Sequence, residues 1–371
     1  MVYDLTLDRR SWVLGAAVWT SALFGRVSNA AQSFPALRSL ASTKGLIFGG
    51  ATNTREIDHD PEFASFFGQQ CGMLFPTGEF QWGNVQKQRN DPYDFKNGDR
   101  LVAFAQSQAM TIHGHALLYY RATPKWLEEE ERDGRILIEN HIQTVASHYR
   151  GKLHSWDVVN ETIDPQSPRQ DGLRETTLLK KFGPDFIERA FHLAAEYDPH
   201  SLRMFSEAAL ECRGERYEKL RQLVLETLNR LIRQRVPVQA IAIHGHLNAS
   251  FDGEAFETFL KDCSSLGLKI MLTELDVIDA KLPSDVHQRD IVAAKMTQEF
   301  LDVVLANHNT IGLTCFGLSD RYTWVKTYAP RQDGLPVRPL PFDTDFNPKP
   351  MAFTIADAIR RAPTRGVKKS P

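Results

Sequence analysis

Leu153-His154-Ser155-Trp156-Asp157-Val158-Val159-Asn160-Glu161 is an apolar, β-rich run that ends on an amide and a carboxylate. It is the fourth of eight such runs. The others are Gly45–Gly49, Cys71–Phe75, Thr111–Tyr119, Leu202–Phe205, Ala240–Ile243, Lys269–Leu272 and Thr310–Phe316. Between them lie stretches with helical spacing of apolar residues, among them Gly98–Gln108, Leu137–Tyr149, Phe186–Tyr197, Tyr217–Gln234, Gly253–Leu266 and Val286–Asn307. Strands that alternate with helices form a parallel sheet, and eight is the number that closes into a barrel. The chain is therefore expected to be α/β, a (β/α)8 TIM barrel. The competing open, doubly wound sheet would want a glycine-rich phosphate turn after its first strand, and Gly49-Gly50 is too little.

No linker or low-complexity stretch interrupts residues 45–360, so residues 31–371 read as one catalytic domain. The formal charge is −2, which gives no basic surplus for a nucleic acid or an anionic membrane. No apolar run reaches the roughly 18 residues of a membrane-spanning helix. Residues 1–30 read as a targeting segment. Arg9-Arg10 precedes a weakly apolar stretch from Trp12 to Gly25, and Ser28-Asn29-Ala30 offers small residues at a cleavage site. The paired arginine resembles a twin-arginine export signal, so a periplasmic or secreted protein, free of the membrane after cleavage, is expected. The four cysteines, Cys71, Cys212, Cys263 and Cys315, fit no metal spacing and are expected to be free and at least partly buried.

In such a barrel the active site lies where the strands end. The fourth run ends on Glu161, and the seventh ends Thr273-Glu274-Leu275-Asp276. Two carboxylates on opposite sides of the mouth can converge across it. That pairing suits cleavage of a glycosidic bond: one carboxyl must hold a proton for the leaving oxygen, and the other must be ionised to attack or stabilise an oxocarbenium-like centre. The sixth run ends His244-Gly245-His246, beside the seventh, so a histidine there can donate to Glu274. Asp276 shares the face of Glu274 if the strand is regular, and its charge would raise the pKa of Glu274 unless a histidine bridges both. Asn160 and Glu161 are adjacent, so both serve the site only if the strand ends or bulges there. His113 and His115 form a second His-x-His pair, which invites a metal reading. The first run ends without a ligand, however, so hydrogen bonding to sugar or carboxylate is preferred, with His113 a structural residue.

These residues resemble glycoside hydrolase family 10, the endo-β-1,4-xylanase family. The similar segments are Asn140–Glu161, Phe182–Pro199, Leu272–Val277, Gly317–Trp324 and Pro341–Pro350. The resemblance implies a barrel, retention of anomeric configuration, a polysaccharide substrate, no cofactor and no metal; a monomer is expected. It implies that Glu161 is the acid/base and Glu274 the nucleophile, assisted by Asn160, His115, His246 and Asp276, with Trp324 on the sugar. Trp82, Tyr119, His244 and Phe316 are further candidates for substrate contact.

The departures fall on the shell that would read the sugar. A segment usually Glu-Asn-x-x-Lys-Trp is Thr77-Gly78-Glu79-Phe80-Gln81-Trp82, keeping only the tryptophan. Gly-His-Thr-Leu-Val-Trp-His is here Gly114-His115-Ala116-Leu117-Leu118-Tyr119-Tyr120, and an Asn-Asp/Glu-Tyr segment is Ser206-Glu207-Ala208. His244 stands for a glutamine and Phe316 for a tryptophan. The expected activity is thus endo-type hydrolysis of xylan or a related β-linked glycan with a shifted preference. A carbohydrate-binding pseudoenzyme and a metal-dependent barrel hydrolase are the alternatives.

Overall fold

The computed structural model describes residues 34–131 and 134–366; the expected export segment, residues 1–30, lies outside the described residues. Its strands are β1 (Ile47–Thr52), β2 (Met73–Pro76), β3 (Thr111–Gly114), β4 (Leu118–Tyr119), β5 (Ser155–Asn160), β6 (Leu202–Glu207), β7 (Ala240–Leu247), β8 (Lys269–Val277) and β9 (Thr310–Cys315). Neighbouring strands pair in parallel, and β1 pairs with both β2 and β9, so the sheet closes on itself. This is the (β/α)8 barrel read from the alternation, and the open sheet is set aside. One run behaves differently from expectation. Thr111–Tyr119 is not one strand but two, β3 and β4, which share one barrel position between β2 and β5. The break falls at residues 115–117, where the His115–Ala116 peptide is cis.

The helices Lys96–Ser107, Gly134–His148, Phe186–Tyr197, Glu215–Arg233, Gly253–Ser265 and Val286–Ala306 follow the expected stretches with ends shifted by a few residues. Two of their starts are set by side-chain caps: Asp252 accepts from the Ala255 amide and Asp285 from the Gln288 amide. The same chemistry explains two short helices that periodicity did not reveal. Asn53 caps Thr54–His59, and Asp60 caps Pro61–Gln70, where Pro61 takes the first helical position. A closing helix, Pro350–Arg361, was also unforeseen. None of the described helices is long and apolar enough to cross a membrane.

The barrel interior changes character along its axis. Met73, Met204, Ala240, Ala242 and Met271 meet in one buried cluster flanked by Ile47, Leu202 and Ile311. Residues from six strands can meet only inside the barrel, and the flexible methionines fill it where the strands begin. Towards the strand ends the buried residues become polar: His113, His115, Asp157, Asn160, Ser206, Glu207, His244, His246, Glu274 and Asp276. Gly114 allows the close approach at this level, since a Cβ there would lie 2.1 Å from the ring of Trp156. The four cysteines are free and buried, as read.

Candidate active site

Glu161 is presented by an irregular strand end. Against β6, the β5 pairing steps from Asp157 to Val159 while its partner advances one residue, so β5 carries one extra residue. Asn160 is the last paired residue. Glu161 then takes φ of 52°, a left-handed conformation costing a non-glycine residue about 1–2 kcal/mol, while its amide bonds Ser206 O at 3.0 Å. The bend lets both neighbours face the mouth: His244 Nε2 lies 3.1 Å from Asn160 Oδ1, and His244 Nδ1 lies 3.9 Å from Glu161 Oε1. The Tyr119 hydroxyl donates to Glu161 Oε1 at 3.3 Å. Behind it, Arg174 donates to the carbonyls of Glu161 and Ile163 at 2.9 and 2.7 Å and pairs with Asp164 at 3.2 Å. Its guanidinium sits 5.0 Å from the centre of the Tyr120 ring.

Glu274 is presented by the same device. His244 pairs with Thr273 but His246 pairs with Asp276, and on the other side Leu272 and Leu275 pair with Leu313 and Cys315. Over this stretch strand β8 therefore holds one residue more than either neighbour, and Glu274, at φ of 59°, sits in the bulge. The expected bridge is present. His246 Nδ1 donates to Asp276 Oδ1 at 2.9 Å and Nε2 donates to Glu274 Oε2 at 3.0 Å. Donation from both ring nitrogens requires the imidazolium. Burial opposes that charge, but Asp276 and Glu274 overcome it and hold the His246 pKa well above the ordinary histidine value. Asp276 Oδ2 accepts from Trp324 Nε1 at 2.7 Å.

Burial also opposes ionisation of Glu274, yet the surrounding imidazoles of His244, His246 and His115 bring its pKa down to about 2. Burial pushes His244 itself below the ordinary histidine value. The hydrogen bond from His246, whose pKa is held well above the ordinary value, therefore persists at neutral pH, with the charge of His115 as a second contribution. One oxygen of each of the two glutamates, Glu161 Oε2 and Glu274 Oε1, is buried and accepts no protein hydrogen bond among the described residues. His244 Nε2 is 3.2 Å from Glu274 Oε1 but is aligned instead on Ser206 Oγ and Asn160 Oδ1.

His113 and His115 converge on Asp157, a residue not among the expected site residues: the distances to Asp157 Oδ2 are 2.9 and 2.8 Å. Burial would raise the Asp157 pKa, and the two histidines hold it well below the carboxylate range. His115 Nδ1 also lies 4.0 Å from Glu274 Oε1. Burial lowers the pKa of His115, and its bond to Asp157 and the nearby charge of Glu274 more than restore it. His113 Nδ1 bonds Ser155, which fits the structural role expected of it. The sets His113-His115-Asp157 and His244-His246-Glu274 each bring donor atoms within 4.8 Å, the dimension of a metal site. Their imidazoles are already committed to carboxylates, hydroxyls and an amide, which is the hydrogen-bonding reading.

Phe316 and Trp324 flank the Glu274 side, with ring centres 5.3 and 4.9 Å from His246. Tyr119 is half-buried beside Glu161. Trp82 is a correction: it is only 3 % exposed, stacked 4.0 Å from His141 with its indole N–H on Gln86. It packs the core and is no part of the mouth, because the short helix Trp82–Val85 turns its ring inward. Among residues not foreseen, Glu207 is fully buried, accepts from the Ile163 and Ala208 amides, and is pushed up to about 8 by burial and the charge of Glu161. Arg174 could not be found from local pattern, since it reaches Glu161 from a loop thirteen residues on. Asp157 had a signal: a lone acid between Trp156 and Val158 in an apolar strand.

The family model described as Glycosyl hydrolase family 10 matches residues 36–358. Endo-1,4-beta-xylanase B of Thermotoga neapolitana is 27 % identical over 343 residues, covering 91 % of this chain and 95 % of that protein. Native xylanase 10B from Thermotoga maritima superposes with a TM-score of 0.79 at 27 % identity, over 88 % of this chain and 98 % of that one. Xylanase 10B from Thermotoga petrophila RKU-1, solved in complex with xylobiose, has a TM-score of 0.79 at 26 % identity, over 91 % and 99 %.

Proposed function

Because the chain belongs to glycosyl hydrolase family 10, we propose that it hydrolyses a β-1,4-linked xylan or closely related glycan internally, with Glu274 as nucleophile and Glu161 as acid/base. The observation that carries the assignment of roles is the His246 bridge between Glu274 and Asp276. It keeps Glu274 ionised and aimed, as a nucleophile must be, and offsets the like charge of Asp276. Glu161 has no such bridge; its Oε1 meets the Tyr119 hydroxyl at 3.3 Å and lies 3.9 Å from His244 Nδ1, and its Oε2 accepts no protein hydrogen bond among the described residues, which leaves that oxygen to the substrate. In the first step Glu161 protonates the glycosidic oxygen while Glu274 attacks the anomeric carbon. In the second, Glu161 takes a proton from the water that releases the glycosyl group. His244 lies near both carboxylates and bonds Asn160, and in this reading the two side chains meet hydroxyls of the sugar held there. We extend the proposal to export: Arg9-Arg10 directs the chain across a membrane and cleavage follows Ala30, which mass spectrometry of exported protein tests by finding Ala31 at the N-terminus.

Two variants test the roles. Glu274→Ala should form no glycosyl-enzyme with any substrate. Glu161→Ala should still cleave an activated aryl β-glycoside in its first step, accumulate the covalent intermediate and regain turnover with azide, giving a β-configured product. Natural glycan should lose about 10²–10⁴-fold, the usual worth of general acid–base help. Equal loss on both substrates with no azide rescue would overturn the assignment.

A further inference from the structure

Beside the mouth, in the sector of β1, β2 and the segment after β9, lies a cavity of about 670 Å³. It shares Phe316 and Trp324 with the Glu274 side of the candidate active site, so the two spaces adjoin. The side chains that line it are cationic beyond what their neighbours balance. Arg321 is matched, by Asp60 at 2.9 Å and Glu62 at 3.3 Å. Arg55 and Lys326 are not: among the described residues neither side chain makes a hydrogen bond or an ion pair, and both are exposed. The one carboxylate on the wall, Glu56, is taken up by Thr52 and Asn53, and its burial favours the neutral form. Thr77, neutral where the resembling segment carries a glutamate, also lines the cavity.

We propose that this cavity binds a carboxylated sugar, a uronate unit of the glycan, through Arg55 and Lys326. The proposal rests on the glycosidase reading above and names the substrate class within it. A planar carboxylate matches the fork of the Arg55 guanidinium, and Lys326 supplies a second, less directional charge. Because both cations are solvated, the gain per contact is that of an exposed pair, so the two together amount to roughly tenfold. Such a contact is screened by salt.

The test compares kcat/KM on a glucuronate-bearing β-1,4-xylan, on the same polymer after chemical reduction of its carboxyl groups, and on a sulfated neutral xylan. A neutral aryl β-xyloside serves as control for the hydrolase reading. The wild-type protein should prefer the native acidic polymer over the reduced one by roughly tenfold at low salt, and much less at 0.5 M NaCl. The Arg55→Gln/Lys326→Gln double variant, checked for an unchanged melting curve, should show a ratio near one. A wild-type ratio near one, or a ratio that persists in the double variant, would overturn the proposal. Equal preference for the sulfated polymer would overturn the choice of a carboxylate. Failure on the aryl xyloside would strike the hydrolase reading instead, so the two failures are told apart.

Discussion

His246→Asn removes the bridge and should raise the pKa of Glu274, the proposed nucleophile, towards the working range. In the intact site Glu274 is held at about 2: against burial act the charge of His244, the Nε2 bond from His246 at 3.0 Å and the charges of His115 and His246. A hydrogen bond to a charged group is worth about 1.5–3 kcal/mol. At 1.36 kcal/mol per pKa unit its loss raises Glu274 by roughly 1–2 units. The charge of Asp276, no longer separated from Glu274 by a cation, pushes in the same direction. An acidic limb should therefore rise from about 2 to about 3–4 or somewhat above, entering the kcat/KM profile between about pH 3.5 and 5, where the wild-type profile is flat. The assay is hydrolysis of an activated aryl β-glycoside from pH 3.5 to 8. Breaking a buried pair costs about 3–5 kcal/mol of stability, so rates are read at low temperature with folding checked by circular dichroism. Asp276→Asn is the control: it removes the like charge, and its acidic limb should stay low. A folded His246→Asn protein with the wild-type acidic limb would refute the idea that this histidine keeps Glu274 ionised.

Stability should itself depend on pH through the same pair. The lowered pKa of Glu274 contributes stability that is present above about pH 4.5 and lost as the pH falls towards 2. The raised pKa of His246 contributes stability present below about 6.5 and lost as the pH climbs past its folded value. Thermal scans should show the Tm highest between these limits, and a Tm that keeps rising below pH 4.5 would contradict the linkage. Trp82→Ala should cost about 3–5 kcal/mol in urea denaturation yet leave kcat/KM of the folded protein near wild type, as befits a core tryptophan. A large loss of kcat/KM in the folded variant would return Trp82 to the substrate. Arg174→Met frees the carbonyls of Glu161 and Ile163, and kcat should drop by roughly 10–100-fold, an amount that one charge-assisted bond can supply. Arg174→Lys should recover little of it, since an ammonium cannot fork between two carbonyls.

Much of this protein was legible in one dimension. The eight apolar runs and the helices between them determine the barrel, because period-2 and period-3.6 patterns are local properties of the chain. The carboxylates Glu161 and Glu274 were legible for a related reason: a charged residue closing an apolar strand has few places to go but the barrel mouth. What only the tertiary structure decided is how those carboxylates are aimed. Alternation would turn Asn160 away from Glu161, and it takes the extra residue in β5 and the left-handed turn at Glu161 to bring both into the site. The bulge at Glu274 depends on how β8 registers against β7 and β9 at once, and no stretch of β8 alone contains that information. Trp82 makes the same point in reverse: its place in a familiar motif suggested sugar contact, while the ring packs on His141, fifty-nine residues away. Asp157 beneath His113 and His115, and Arg174 behind Glu161, are likewise meetings of distant segments. Local pattern sets which residues reach the mouth; long-range register and packing set which way they point and which protons they hold.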